Sequence, residues 1–269
     1  MEDMSESYCC VLTIAGSDSG GGAGIQADIK SISANGGYAA SVITATTAQN
    51  TQGVTDIHAI PVPHIIAQMK AVFDDIEFSC VKIGMLHSSE VINAVKDILS
   101  TYKIKNIVFD PVMIATSGDK LLNENAVQSL KDFLPNVRLI TPNIPEAELL
   151  VGHSIDISNI QATAKELAQM YSTSVLLKGG HLELQEMMTD VLYNIENETT
   201  TIINNKSVET KNTHGTGCSL SSSIATYIGL GETLEDACKK GCEYLNIAIE
   251  KGKDKLIGDG HGPVNHFSL

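Results

Sequence analysis

The chain has 269 residues, 43% of them hydrophobic, and carries a net charge of -14 at pH 7. That length accommodates one large α/β unit or two small ones and buries a substantial core. A pI near 4.9 argues against nucleic acid or an anionic membrane surface as a partner, because like charges repel over the whole surface. No apolar run approaches the roughly 20 residues of a bilayer-spanning helix, and residues 1–7 lack the basic start and apolar core of a secretory signal. Cys9, Cys10, Cys80, Cys218, Cys238 and Cys242 show no spacing of a disulfide framework or zinc ribbon, which points to the reducing cytoplasm. Cys238 and Cys242 share a helix face, but no second pair completes a metal site, so packing is their expected role.

In chain order, Cys9 to Ala15 reads as a strand, residues 16–24 as a glycine-rich loop, and Ile25 to Ala34 as a helix with Ile25, Ile29 and Ile32 on one side. Ser41 to Thr47 is a β-branched strand leading to a polar loop that closes at Gly53. Pro61 and Pro63 introduce a helix; Cys80 to Met85 is a buried strand; Ser88 starts a helix to Leu99; Asn106 to Asp110 is a further strand. Asn123 is expected to cap a helix to Leu134, Val137 to Thr141 to form a strand, Pro142 to Glu146 to lead into a short helix, and Ser158 to cap a helix to Met170. Val175 to Lys178 is a strand ending in Gly179-Gly180-His181. Short β runs follow at Asp190 to Ile195 and Thr199 to Ile203, with Asn204-Asn205 as a turn. The last two helices cover Leu220 to Ile228 and Leu234 to Lys251. Strands alternating with helices predict an α/β fold with a mainly parallel sheet covered on both faces, and the absence of linkers or repeats predicts a single domain over residues 1–269, residues 1–8 forming a loose extension.

Ligands of such sheets bind beyond the carboxyl ends of the strands. The unusual polar clusters fall there: Asp18, Gln49, Lys82 to Gly84, Asp110-Pro111, Asn143 with Glu146, Lys178 to Gly180, and the loop Asn212 to Ser219. In that last loop two glycines flank Thr216 and a helix follows at once, so unpaired N–H groups carrying roughly +0.5 of an elementary charge face the loop. This is a cradle for phosphate. Cys218 falls in the first helical turn, where the same field is expected to lower its pKa and supply a base. The first glycine loop fails the dinucleotide fingerprint, since Ile25 stands where a third glycine is needed, and no Gly-Lys-Ser/Thr P-loop occurs.

The segments Ile14–Asp28, Val42–Thr51, Lys82–Leu86, Asp110–Met113, Thr141–Glu146, Lys178–His181 and Asn212–Cys218 together resemble the bacterial hydroxymethylpyrimidine/phosphomethylpyrimidine kinases of thiamine synthesis. The resemblance runs from about residue 11 to the tail at Gly262 to His266. It implies a ribokinase-like fold and two ATP-dependent phosphorylations, of 4-amino-5-hydroxymethyl-2-methylpyrimidine and of its monophosphate. It places Gln49, Gly16, Asp28 and Thr47 in the substrate pocket, although the family often has an aliphatic residue at the last. It places Lys178, Asn143 and Thr213 at the nucleotide, Glu146 and Asp110 at Mg²⁺, and Gly215, Gly217 and Cys218 in the anion hole, with Cys218 as the base. The hydrophobic content and the lack of a spanning run predict a soluble globular protein, and the resemblance implies a family that often forms homodimers. A pyridoxine/pyridoxal kinase, or a pyrimidine-binding sensor without catalysis, are the alternatives that share these motifs.

Overall fold

The computed structural model describes residues 7–113, 124–181 and 187–267. Among the described residues nine strands form one sheet: β1 (Cys10–Asp18), β2 (Tyr38–Asn50), β3 (Gly53–Ala59), β4 (Cys80–Ile83), β5 (Ile107–Phe109), β6 (Leu139–Ile140), β7 (Ser174–His181), β8 (Met187–Asn194) and β9 (Thr199–Lys206). Their spatial order is β3-β2-β1-β4-β5-β6-β7-β8-β9. The six strands from β2 to β7 run parallel, whereas β3 pairs antiparallel with β2, and β8 and β9 continue antiparallel from β7. The helices are α1 (Gly24–Ala34), α2 (Val62–Phe73), α3 (Ser89–Thr101), α4 (Glu124–Phe133), α5 (Ile144–Val151), α6 (Ile160–Tyr171), α7 (Thr216–Gly229) and α8 (Leu234–Gly252).

Because successive strand residues point to opposite faces, each central strand feeds two cores. Leu12, Ile14, Val81, Ile83, Phe109, Ile140 and Leu177 meet α2 to α6 on one face. Val11, Cys80, Val108, Leu139 and Leu176 meet α1, α7 and α8 on the other. Thr13 and Lys82, paired across β1 and β4, belong by alternation to the second face. The two helices that start at glycine loops, α1 and α7, therefore lie side by side over the carboxyl half of the central strands.

Three local expectations differ from the structure. The polar loop after Thr47 is instead a hairpin, with β2 continuing to Asn50 and β3 returning; every residue of β3 is exposed, so no period-two apolar pattern marks it. The chain reverses at residues 195–198, with Glu198 at φ 57° and Asn197 Oδ1 accepting from the Thr199 N–H at 3.2 Å. Asn204 and Asn205 consequently belong to β9, an edge strand that accommodates polar side chains. Ser158 does not cap the following helix; it donates its backbone N–H to Asp156 Oδ1 at 2.9 Å, and α6 starts two residues later. The expected cap Asn123, like most of the extension at residues 1–8, lies outside the described residues.

Candidate active site

Two glycine loops interlock at the starts of α1 and α7. Gly215, the residue before α7, has φ +79°, and a Cβ there would land on the carbonyl oxygen of Gly22. Gly24 opens α1 with φ +56°, and its Cβ would land on the carbonyl oxygen of Gly16. Only glycine permits both the left-handed backbone and this approach. Neither helix has a side-chain N-cap, so the first-turn N–H groups of both face the same space.

Asp18 ties the first loop together. Its Oδ1 accepts from the Gly20 N–H at 2.7 Å, and Oδ2 accepts from the Gly22 and Ala23 N–H groups at 2.9 and 2.8 Å. His214 Nε2 lies 2.9 Å from the same Oδ2, which joins the two loops. Burial works to raise the Asp18 pKa, but the bonds from His214, Ala23 and Gly20 outweigh it and hold the carboxyl below its usual range. Gln26 braces the turn, accepting from the Asp18 N–H and donating to Ser17 Oγ.

The half-buried carboxamide of Gln49 projects beside this hub. Its Nε2 is 3.4 Å from His214 Nε2. The Thr47 hydroxyl bridges the Ser17 carbonyl at 2.9 Å and Gln49 Oε1 at 3.1 Å. Ser19 and Gln49 exchange hydrogen bonds that pin the hairpin to the loop. The backbone of Gly16 is buried here, and a Cβ would meet Met85 Cε at 2.9 Å.

Beyond α7 lies a charged floor. Lys178 Nζ, from the middle of β7, is 3.1 Å from Asp110 Oδ1, which also accepts from Thr141 Oγ1 at 3.1 Å. Desolvation alone would lower the Lys178 pKa; Asp110 and Glu146 reverse that and keep the ammonium charged. Asn143 and Glu146 form a capping box on α5, each side chain accepting the other's backbone N–H at 2.9 Å. Burial, with Asp110 adding repulsion against the pull of Lys178, pushes the Glu146 pKa up to about 7. Two buried carboxylates thus share one lysine. Gly217 stands directly above, where a Cβ would lie 3.2 Å from Asp110 Oδ2 and 3.6 Å from Lys178 Nζ.

The structure corrects two expectations. Cys218, the third residue of α7, does not have a lowered pKa: burial dominates and pushes the thiol up to about 11, with Lys82 pulling it down, Asp28 and Asp110 pushing it up, and a hydrogen bond from the Gly24 N–H lowering it. Asp28 does not line the pocket. It is 0% exposed, and its carboxylate accepts from Thr13 Oγ1 at 2.6 Å, Ser222 Oγ at 2.6 Å and Lys82 Nζ at 2.8 and 2.9 Å. It lies beneath the site.

Thr213 is exposed, and its carbonyl accepts from the Thr216 N–H at 3.3 Å. The tail brackets the loop from behind: the His214 N–H donates to the Gly262 carbonyl, and Ser219 Oγ is 3.1 Å from His266 Nε2. Gly16, Gln49, Thr47, Gly215, Gly217, Cys218, Asp110, Glu146, Asn143 and Lys178 are thus gathered along one edge of the sheet. Sequence reasoning noticed Asp18, His214 and Lys82 without giving them roles. An aspartate followed within five residues by three glycines is a readable signal of a side chain bonding loop N–H groups.

An uncapped pair of helix starts over a lysine and two carboxylates, at the carboxyl edge of a mostly parallel sheet, suits the binding of phosphate groups. Sequence and structure comparisons supply the family. A family model described as phosphomethylpyrimidine kinase matches residues 18–265. The hydroxymethylpyrimidine/phosphomethylpyrimidine kinase of Rhizobium meliloti is 46% identical over 259 residues, covering 95% of this chain and 96% of that protein. A bifunctional thiamine biosynthesis protein of Geobacter sulfurreducens is also 46% identical, and there the match spans 52% of the relative's length. The crystal structure of phosphomethylpyrimidine kinase from Clostridium difficile superposes with a TM-score of 0.78 at 41% identity, over 89% of this chain and 99% of that one. An ADP complex of Bacillus subtilis pyridoxal kinase gives a TM-score of 0.87 at 28% identity, over 97% and 98%. The chain belongs to the phosphomethylpyrimidine kinase family.

Proposed function

We propose that the chain transfers the γ-phosphoryl group of ATP to the alcohol of 4-amino-5-hydroxymethyl-2-methylpyrimidine, then a second to the resulting monophosphate, as one cytoplasmic kinase domain of thiamine synthesis. The observation that carries this reading is a carboxamide and a thiol, Gln49 and Cys218, beside the helix starts that face Asp110 and Lys178. A carboxamide pairs a donor with an acceptor, the complement of a ring nitrogen beside an exocyclic amine. Pyridoxal has no such edge.

Asp110 and Glu146 suit Mg²⁺, which takes one or two carboxylates with phosphate oxygens and retained waters. Their shared lysine leaves negative charge for a divalent cation to offset. When bound, Mg²⁺ supplies neutralisation of charge on the transferring group. Lys178 and the first-turn N–H groups of α7 add fixed positive potential there, in a protein that is otherwise acidic.

The acceptors differ in what they ask of Cys218. An alcohol must lose a proton during transfer, and only the thiolate can take it. A phosphate monoester already carries its charge and needs no base, and a neutral thiol does not repel it as a carboxylate would. The alcohol step is therefore expected to accelerate with pH as the thiolate population grows toward about pH 11, while the monophosphate step stays flat above its own ionisation. Cys218→Ala should abolish that acceleration and spare the second step. Competition between the pyrimidine alcohol and pyridoxal tests specificity. Gln49→Ala should lower kcat/KM for the pyrimidine by about tenfold or more, the worth of a bond to a buried polar edge, and leave pyridoxal turnover unchanged. Equal losses for both would reject Gln49 as the discriminating group.

A further inference from the structure

We propose that Thr47 and His214 lock the Gln49 carboxamide in one sense, its amino group toward Thr47 and its oxygen toward His214, so that the site selects a 4-amino over a 4-oxo pyrimidine. The inference deepens the role of Gln49 proposed above and rests on it only for the ligand preference. A carboxamide has two senses, related by a half-turn about its last carbon–carbon bond. Its oxygen and amino nitrogen are nearly the same size, so packing does not choose between them; hydrogen bonding does. Ser19 bonds to both the N–H and the carbonyl of Gln49 and so holds the main chain, which leaves the side chain as the freedom to be fixed.

One corner of the carboxamide lies 3.1 Å from Thr47 Oγ1 and the other 3.4 Å from His214 Nε2. Thr47 Oγ1 is also 2.9 Å from the Ser17 carbonyl oxygen. That oxygen only accepts, so it takes the single hydroxyl proton, and Thr47 has only lone pairs left for Gln49. The corner beside Thr47 must then be the amino group. His214 gives the same answer from the other side. Its Nε2 lies 2.9 Å from Asp18 Oδ2, and Asp18 already accepts from three backbone N–H groups, the pattern of an ionised carboxylate with nothing to donate. Nε2 must therefore carry the proton and give it to Asp18. An amino group 3.4 Å away faces that N–H with like polarity, whereas an oxygen is attracted to it. The structure sets Oε1 at Thr47 and Nε2 at His214, where both contacts fail together, and one half-turn satisfies both.

The consequence for a ligand is directional. One N–H and one oxygen lone pair remain free, the donor on the Thr47 side and the acceptor on the His214 side. A 4-aminopyrimidine offers a ring-nitrogen acceptor beside an amine donor; a 4-oxo ring offers the reverse, an N–H beside a carbonyl. A free carboxamide serves either ring by turning over, and a locked one serves only one of them, since the ring itself must keep its hydroxymethyl group at the start of α7.

The test uses the free protein, without nucleotide or Mg²⁺. In side-chain nitrogen–proton correlation spectra, the Gln49 amide is identified by its loss in Gln49→Ala. One of its protons should lie downfield through the bond to Thr47, move back in Thr47→Val, which keeps the shape and removes the acceptor, and return in Thr47→Ser. Calorimetry with 4-amino-5-hydroxymethyl-2-methylpyrimidine and its 4-oxo analogue reads the consequence. The ratio of the two dissociation constants should move toward the 4-oxo ring by about two- to tenfold in Thr47→Val, the worth of one neutral hydrogen bond, and recover in Thr47→Ser. An unchanged Gln49 resonance in Thr47→Val, or a change that Thr47→Ser does not reverse, would overturn the lock. A resonance that responds while the ratio does not would leave the lock standing and overturn Gln49 as the group that reads the ring.

Discussion

Gly217→Ala separates stability from catalysis in one substitution. Position 217 is the second residue of α7 and has no left-handed backbone to strain. Alanine in place of glycine in a helix gains up to about 1 kcal/mol, less near the terminus. Against this, the new methyl lies 3.2 Å from Asp110 Oδ2, a few tenths of an ångström too near, which a small rotation of the carboxylate relieves. The melting temperature should therefore hold or rise by up to about 3 °C, by the usual scaling for a protein this large. Activity should behave differently. The methyl occupies the gap between the α7 N–H groups and the Asp110–Lys178 pair, where the transferring group is proposed to pass. Losing one such donor or its alignment costs about 10²- to 10³-fold in kcat, roughly 3–4 kcal/mol of transition-state stabilisation. Coupled ADP release, with a thermal melt on the same preparation, reads both effects. A stable variant with unimpaired turnover would refute the placement of phosphoryl transfer at this gap.

The neighbouring glycine should respond in the opposite way. Gly215→Ala forces a side chain into a left-handed position, which costs about 1–2 kcal/mol, and onto the Gly22 carbonyl, so chemical denaturation should show a loss of more than about 2 kcal/mol; an unchanged midpoint would contradict the interlocking loops. Glu146, with a pKa near 7, must ionise to serve Mg²⁺, so the Mg²⁺ concentration for half-activation should rise as pH falls from 7.5 to 6. In Glu146→Gln that requirement should be higher throughout and far less sensitive to pH. His266 has the reverse sign: burial lowers its pKa to about 4, so the unfolded chain binds more protons between about 4 and 6.5, and stability falls as pH drops through that window. The loss amounts to about 3 kcal/mol by pH 4. Urea unfolding at pH 7 and pH 4 should show a smaller drop in His266→Gln than in the parent.

The alternation of apolar strands and amphipathic helices made the sheet legible, because both faces of each central strand are buried and leave near-continuous hydrophobic runs such as Val11 to Ala15 and Val175 to Leu177. β3 was illegible because its seven residues are all exposed and bury no face. The site's outline was legible too, since chain reversals at strand ends put glycines and charges at predictable points. Its electrostatics were not. Position in a first helical turn predicts an acidic thiol, but how deeply Cys218 is enclosed depends on how α1 packs against α7, a contact between residues nearly 200 positions apart. Asp28 reads as a pocket residue for the same reason: only the arrival of Lys82, Thr13 and Ser222 shows that its bonds are filled from below. Asn143 and Glu146 carry both meanings at once, as a helix cap and as part of the charged floor, and sequence spacing alone does not separate them.

Mass-spectrometric identification of products tests the central claim directly, with purified protein, Mg-ATP and either the pyrimidine alcohol or pyridoxal. The account predicts the monophosphate of the pyrimidine and then its diphosphate, with pyridoxal turned over poorly. Pyridoxal phosphate as the main product, or a pyrimidine that stops at the monophosphate when ATP is in excess, would contradict it.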